Sequence, residues 1–167
     1  MFSRPRLLWI VAALVLAAIA CGSPDSASSA NGGSAVQNPY DENADPNADI
    51  AAALDSAKAD SKLVLLDFGA NWCPDCIVLA TLFEDESVKP YLDEHYHVVH
   101  IDVGHWDRHL DVSDQYGKPI EKGIPAVVVL KPDGTIIATT KAGELANART
   151  ATAQDILAYL HQWVSKQ

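Results

Sequence analysis

The segment LVLLDFGANWCPDC, residues 63–76, constrains this chain more than any other stretch of its 167 residues. It opens on a short apolar run, residues 63–68, of the kind a strand buried on both faces requires. It ends on Cys73 and Cys76, with Pro74 at a place that suits the first position of a helix, where a fixed φ and a missing N–H are tolerated. The two cysteines are therefore expected at a strand-to-helix junction. One further cysteine is present, Cys21. Three cysteines are too few for a disulfide scaffold or a four-cysteine zinc site, and zinc on this pair would need two more ligands. The arrangement reads instead as a redox dithiol.

The physical chemistry of that reading is simple. The thiolate is the reactive form of cysteine, and a helix N-terminus stabilises it through unpaired N–H groups and the helix dipole. Cys73 is placed there, and Cys76 about one turn further in. Cys73 is thus expected to attack a target disulfide and Cys76 to resolve the mixed disulfide. Asp75 adds a negative charge beside the thiolate, which acting alone raises the Cys73 pKa and disfavours a strongly oxidising pair.

The chain start reads as an export signal. Arg4 and Arg6 precede an uncharged run of 14 residues, 7–20. At about 1.5 Å per residue that run reaches about 21 Å, short of the ~30 Å hydrocarbon core. Basic, apolar, then small residues is the order of a cleaved signal, here residues 1–20. The run ends Ala18-Ile19-Ala20-Cys21, which resembles the bacterial lipoprotein box. That resemblance implies lipidation of Cys21 and membrane attachment through the lipid. Residues 21–46 are rich in Ser, Ala, Gly, Asn, Asp and Pro, the composition of a flexible linker. Residues 47–167 are expected to form the folded domain.

Charge narrows the partners. The chain holds 12 basic and 22 acidic residues, net −10. Loss of residues 1–20 removes two arginines and no acid, leaving ten basic against 22 acidic residues, net −12. Such a surface repels phosphate, so nucleic-acid binding is not expected, and an anionic membrane gives the domain no electrostatic help.

Beyond the cysteines, residues 47–59 read as a helix with Asn47 as candidate cap. Residues 73–83 and 88–95 read as helical. Residues 96–102 read as a strand, and a helical turn is expected within residues 107–116. Residues 126–130 form a β-branched run, followed by the turn signal Lys131-Pro132-Asp133-Gly134 and a hairpin partner over residues 135–140. Residues 152–166 carry Ile156, Leu157, Leu160, Trp163 and Val164 at helical spacing. The expected class is α/β, a mixed central sheet with helices on both faces.

Taken together, Val64-Leu65-Leu66-Asp67-Phe68, Trp72-Cys73-Pro74-Asp75-Cys76, Gly123-Ile124-Pro125-Ala126, the Asp133-Gly134 turn and the C-terminal helix resemble the thioredoxin family over about residues 50–166. The resemblance implies a thioredoxin-like fold and thiol–disulfide oxidoreductase activity, with no cofactor. It implies that Pro125 follows a cis bond beside the cysteines and that Ile124, Pro125 and Trp72 meet the substrate. It also implies that Asp67 is a buried acid taking the proton of Cys76, a role that suits a carboxyl whose neutral form is favoured by burial. Asp67 read alone also fits a strand-end carboxylate paired with Lys62 or Lys118, Pro125 a plain turn proline, and Trp72 ordinary core packing. The family commonly has Gly-Pro between the cysteines, whereas this chain has Pro74-Asp75. The string WCPDC also occurs in a small thioredoxin-related reductase subfamily.

The expected protein is an extracytoplasmic reductase of protein disulfides, monomeric, and supplied with electrons by a membrane thiol–disulfide donor. The competing class is a thioredoxin-like module that binds copper or a client protein without turnover. The histidines at 95, 97, 100, 105 and 109 have no spacing that fixes a metal geometry, and no metal site is expected. Trp106, Tyr116 and Ile120, in the long stretch 104–122, suit either a substrate surface or a cover over the core.

Overall fold

The computed structural model describes residues 35–166; the stretch read as an export signal, Cys21 and the first part of the stretch read as a linker lie outside them. Among the described residues no helix is long and apolar enough to cross a membrane.

The central element is β1 (Leu63–Gly69), buried at every position. It pairs in parallel with β2 (Tyr96–Asp102) and antiparallel with β3 (Ala126–Leu130), which in turn pairs antiparallel with β4 (Ile136–Thr139). The strand order is β2-β1-β3-β4, a mixed sheet. Its interior position explains why β1 reads as a continuous apolar run: both faces are covered. Val64, Leu66 and Phe68 point into one core with Ile50 and Ala57 of helix α1 (Pro46–Asp60). Leu63 and Leu65 point into the other. There they meet Leu79 and Phe83 of α2 (Pro74–Phe83), Leu92 of α3 (Lys89–His95), and Ile156 and Leu160 of α5 (Ala153–Val164). The period of two along the strand thus divides one apolar run between two layers. The family's α/β fold, with helices on both faces, is the fold found.

Local chemistry sets the element ends. Asp45, not Asn47, caps α1: its carboxylate accepts the N–H groups of Asn47 and Ala48, and Pro46 takes the first helical position. Between α2 and α3 the Asp85 carboxylate accepts the Ser87 N–H at 2.8 Å and its hydroxyl at 2.6 Å, which turns the chain and separates two helices. The β3–β4 hairpin closes through Gly134 at φ 86°, where a side chain would be strained. Thr152 and Asp155 cap α5 reciprocally.

One stretch departs from the sequence reading. Residues 36–45, read as linker, are attached to the domain. Tyr40 is buried, its N–H donates to Asn71 Oδ1 at 3.1 Å, and Asn71 Nδ2 donates to the Tyr40 carbonyl at 2.7 Å. The Val36 N–H donates to Thr81 Oγ1 at 3.1 Å. One buried aromatic within a polar stretch carries no periodicity, so composition alone classes the whole stretch as tether.

The stretch 104–122 holds the helical turn expected within residues 107–116. Its helix α4 is short (Leu110–Gln115) and is followed by a 3-10 turn, Pro119–Lys122. Tyr116 and Ile120 pack against the α1-side core and so act as cover, while Trp106 remains 43% exposed.

Candidate active site

Cys73 is the N-cap of α2, with Pro74 in the first turn. The two sulfurs are joined as a disulfide, with the Cα atoms 5.3 Å apart. The Cys76 N–H points at Cys73 Sγ at 3.3 Å, so the helix N-terminus directs one of its free donors at this sulfur. Cys73 is 5% exposed and Cys76 fully buried. Of the pair, only Cys73 borders solvent. On its far side Cys73 Sγ lies 3.8 Å from the Ile124 carbonyl oxygen. The Ile124–Pro125 peptide bond is cis, and both residues are buried beside the pair.

Trp72 is 45% exposed, so it is not a core residue. Its indole N–H donates to the Gly104 carbonyl at 2.7 Å and its ring stacks on His105 at 5.5 Å. The 103–109 loop that supplies these contacts is tied to itself: the Val103 carbonyl accepts the N–H groups of Trp106, Asp107 and Arg108, and Asp107 Oδ1 accepts that of His105. Arg108 fastens the loop to Glu42 and Asp102.

Asp67 is completely buried, and neither Lys62 nor Lys118 pairs with it. Its Oδ2 accepts the Tyr40 hydroxyl at 2.9 Å and lies 2.9 Å from His100 Nδ1. Its Oδ1 has no protein partner. His100 faces Asp67 across the β1–β2 register. Burial disfavours charge on His100, but the hydrogen bond and charge of Asp67 outweigh it, and the imidazole is held above its ordinary pKa of 6.5. Burial, then the Asp67 charge, pushes the Tyr40 phenol well above its usual range. The Tyr40 ring also fills the space over Gly69, where a β-carbon would run into it.

Asp75 departs from its expected role. Its carboxylate is not free beside the thiol. Oδ1 accepts both the backbone N–H and the Nε–H of Arg149, each at 3.0 Å. The charge argued from sequence to act alone on Cys73 therefore has a counter-charge 74 positions away in the chain. No sequence signal links the two. Tyr40 had one faint signal, as the sole aromatic residue between 22 and 46. For His100 the sequence offers only its place among histidines whose spacing fixes no metal geometry. Among the described residues, no group of three or more His, Cys, Asp or Glu side chains is placed to hold a metal.

Comparison with known proteins places this geometry. A family model described as thioredoxin-like matches residues 45–132. The solved structure of a disulphide isomerase from Xylella fastidiosa Temecula1 is 45% identical, with a TM-score of 0.74, covering 77% of this chain and 98% of that one. The C-terminal domain of Neisseria meningitidis DsbD, in its oxidised form, is 26% identical with a TM-score of 0.54, covering 71% of this chain and 96% of that one. The thiol:disulfide interchange protein DsbD of Pseudomonas fluorescens is 30% identical over 123 residues, which is 70% of this chain and 18% of that protein. The curated relatives are matched over only 18–39% of their own lengths.

Proposed function

The chain belongs to the thioredoxin-like family, and we propose that it is a thiol–disulfide oxidoreductase that reduces protein disulfides through Cys73 and Cys76. One observation carries the proposal: a bonded cysteine pair whose outer sulfur caps α2 and takes the Cys76 N–H. In the reduced protein the same N–H and the helix dipole favour a thiolate at Cys73.

The chemistry runs in two displacements. The Cys73 thiolate attacks one sulfur of a target disulfide, forming a mixed disulfide and releasing the other target sulfur as a thiolate that takes up a proton. Cys76 gives up its proton and attacks Cys73 Sγ, freeing the second target thiol. The target gains two electrons, and the Cys73–Cys76 pair loses two as it closes. Asp67 is proposed to take the Cys76 proton, a role carried by its burial and its unpartnered Oδ1. Ile124, Pro125 and Trp72 are proposed to meet the substrate. The buried Ile124–Pro125 backbone and the exposed indole flank the pair, and a proline offers no N–H of its own to compete with an incoming chain.

Reduction is the proposed direction. Asp75, which lies between the cysteines, is paired with Arg149, and the two sum to no net charge. The ion pair therefore does not push the thiol to the extreme acidity that makes a strong oxidant. Continued turnover then needs a donor of dithiol class, proposed to be a membrane thiol–disulfide protein. The domain is proposed to work outside the cytoplasm, after removal of residues 1–20, held by lipid on Cys21 through a tether that ends near residue 35, and as a monomer. The WCPDC string is proposed to mark a reductase-type member.

The test is a trap. Cys76→Ser leaves Cys73 able to attack but removes the resolving sulfur. In cells making that variant, mixed disulfides with client proteins are expected to accumulate and to vanish on adding dithiothreitol. Their absence, with the variant folded, would overturn the proposal.

A further inference from the structure

Arg149 sits in a 3-10 turn, Ala148–Thr150, just ahead of α5. The turn is firmly placed. Ala148 is buried, the Thr150 hydroxyl donates to the Asn147 carbonyl at 3.0 Å, and Asn147 Nδ2 donates to Thr150 Oγ1 at 3.2 Å. The reciprocal Thr152–Asp155 cap fixes the chain two residues on. Within this turn the N–H groups of Thr150 and Ala151 bond to the carbonyls of Asn147 and Ala148. The Arg149 N–H goes instead to Asp75, together with the side-chain Nε–H. Two donors from one residue converge on one oxygen of Asp75, one of the two residues between the cysteines.

Asp75 lies in the first turn of α2, where a carboxylate also gains from the helix dipole. Placed there alone, it would oppose a second negative charge on Cys73. Among the described residues, Arg149 is the only cationic partner bonded to it. Cys73 Sγ also meets the Ile124 carbonyl and the Cys76 N–H, the Cys73 backbone bonds to Ala70 and Ile77, and Trp72, next in the chain, stacks its ring on His105.

We propose that Arg149 is a positioning residue that sets the acidity of the Cys73 thiol, by neutralising Asp75 and by holding the first turn of α2 against the 148–150 turn. Asp75 and Arg149 act as a trimmed pair: one opposes the thiolate and the other cancels it. The Arg149 side chain is 60% exposed, so solvent screens its charge and the effect is modest. The inference deepens the reading of Cys73 as the attacking sulfur and rests on it.

The test titrates the reduced protein by the ultraviolet absorbance of the thiolate, with no substrate present. Arg149→Gln is expected to lower the thiolate-to-thiol ratio of Cys73 at a given pH about threefold. Asp75→Asn, which keeps an acceptor for the Arg149 N–H, is expected to raise it by a similar factor. The double variant is expected near the wild type, and Arg149→Lys to restore most of the ratio. High salt should shrink both single-variant shifts. An Arg149→Gln protein with an unmoved titration would overturn the proposal. If that variant fails to fold, an unmoved titration in Asp75→Asn overturns it equally. Because no disulfide substrate enters, this result stands apart from the client-trapping one: either can fail while the other holds.

Discussion

Tyr40 and His100 serve the same carboxylate from different directions. Tyr40 spends its hydroxyl on Asp67 Oδ2, its backbone on Asn71 and its ring on the space above Gly69. Tyr40→Phe keeps the ring and removes the one hydroxyl. It leaves a buried carboxylate oxygen with a single partner, so a loss of about 1–3 kcal/mol is expected in urea unfolding. An unchanged midpoint would show that the hydroxyl contributes nothing. His100 gives a pH-dependent counterpart. Its folded pKa is raised above the ordinary 6.5. Its contribution to stability is therefore complete below about pH 6.5 and fades as pH rises through the folded value. Unfolding free energy should fall over that window in the wild type and stay flatter in His100→Gln, and the ring resonances of His100 should titrate above 6.5. Titration at or below 6.5 would contradict the pairing with Asp67.

At the scale of elements, the strand–cysteine–helix unit depends on a stretch that precedes it by more than twenty residues. Tyr40 and Asn71 exchange backbone and side-chain hydrogen bonds just before Trp72. Gly69 leaves room for the Tyr40 ring at the end of β1. Gly69→Ala must displace that ring, and a destabilisation of about 1–3 kcal/mol is expected by thermal or chemical unfolding. Tyr40→Ala should relieve most of the penalty in the double variant, because the clash is with that ring; purely additive losses would count against the account. The α1 cap gives an independent measure. Asp45→Ala should cost about 1 kcal/mol, as loss of an N-cap carboxylate does elsewhere.

Over the whole molecule, elements with strong local signals were legible in the sequence. β1 and β3 announce themselves as apolar runs, the hairpin by Pro132-Asp133-Gly134, and α5 by Ile156 and Leu160 one turn apart. The junction holding Cys73 and Cys76 was legible for the same reason, since the strand, the proline and the cysteines lie within fourteen residues. What was not legible depends on contacts between distant positions. Tyr40 on Asp67 spans 27 residues and Arg149 on Asp75 spans 74. Neither pair leaves a periodic trace. Asp75 illustrates the consequence: read locally it is a free charge beside a thiol, and in the fold it is half of an ion pair.

The central claim, that Cys73 and Cys76 exchange disulfides with protein substrates, is tested most directly by insulin reduction with dithiothreitol as electron source. The wild-type protein is expected to accelerate precipitation of the reduced B chain well beyond dithiothreitol alone, and Cys73→Ser to abolish the acceleration while keeping the fold. A wild-type rate no faster than dithiothreitol alone, or a Cys73→Ser rate equal to wild type, would contradict it.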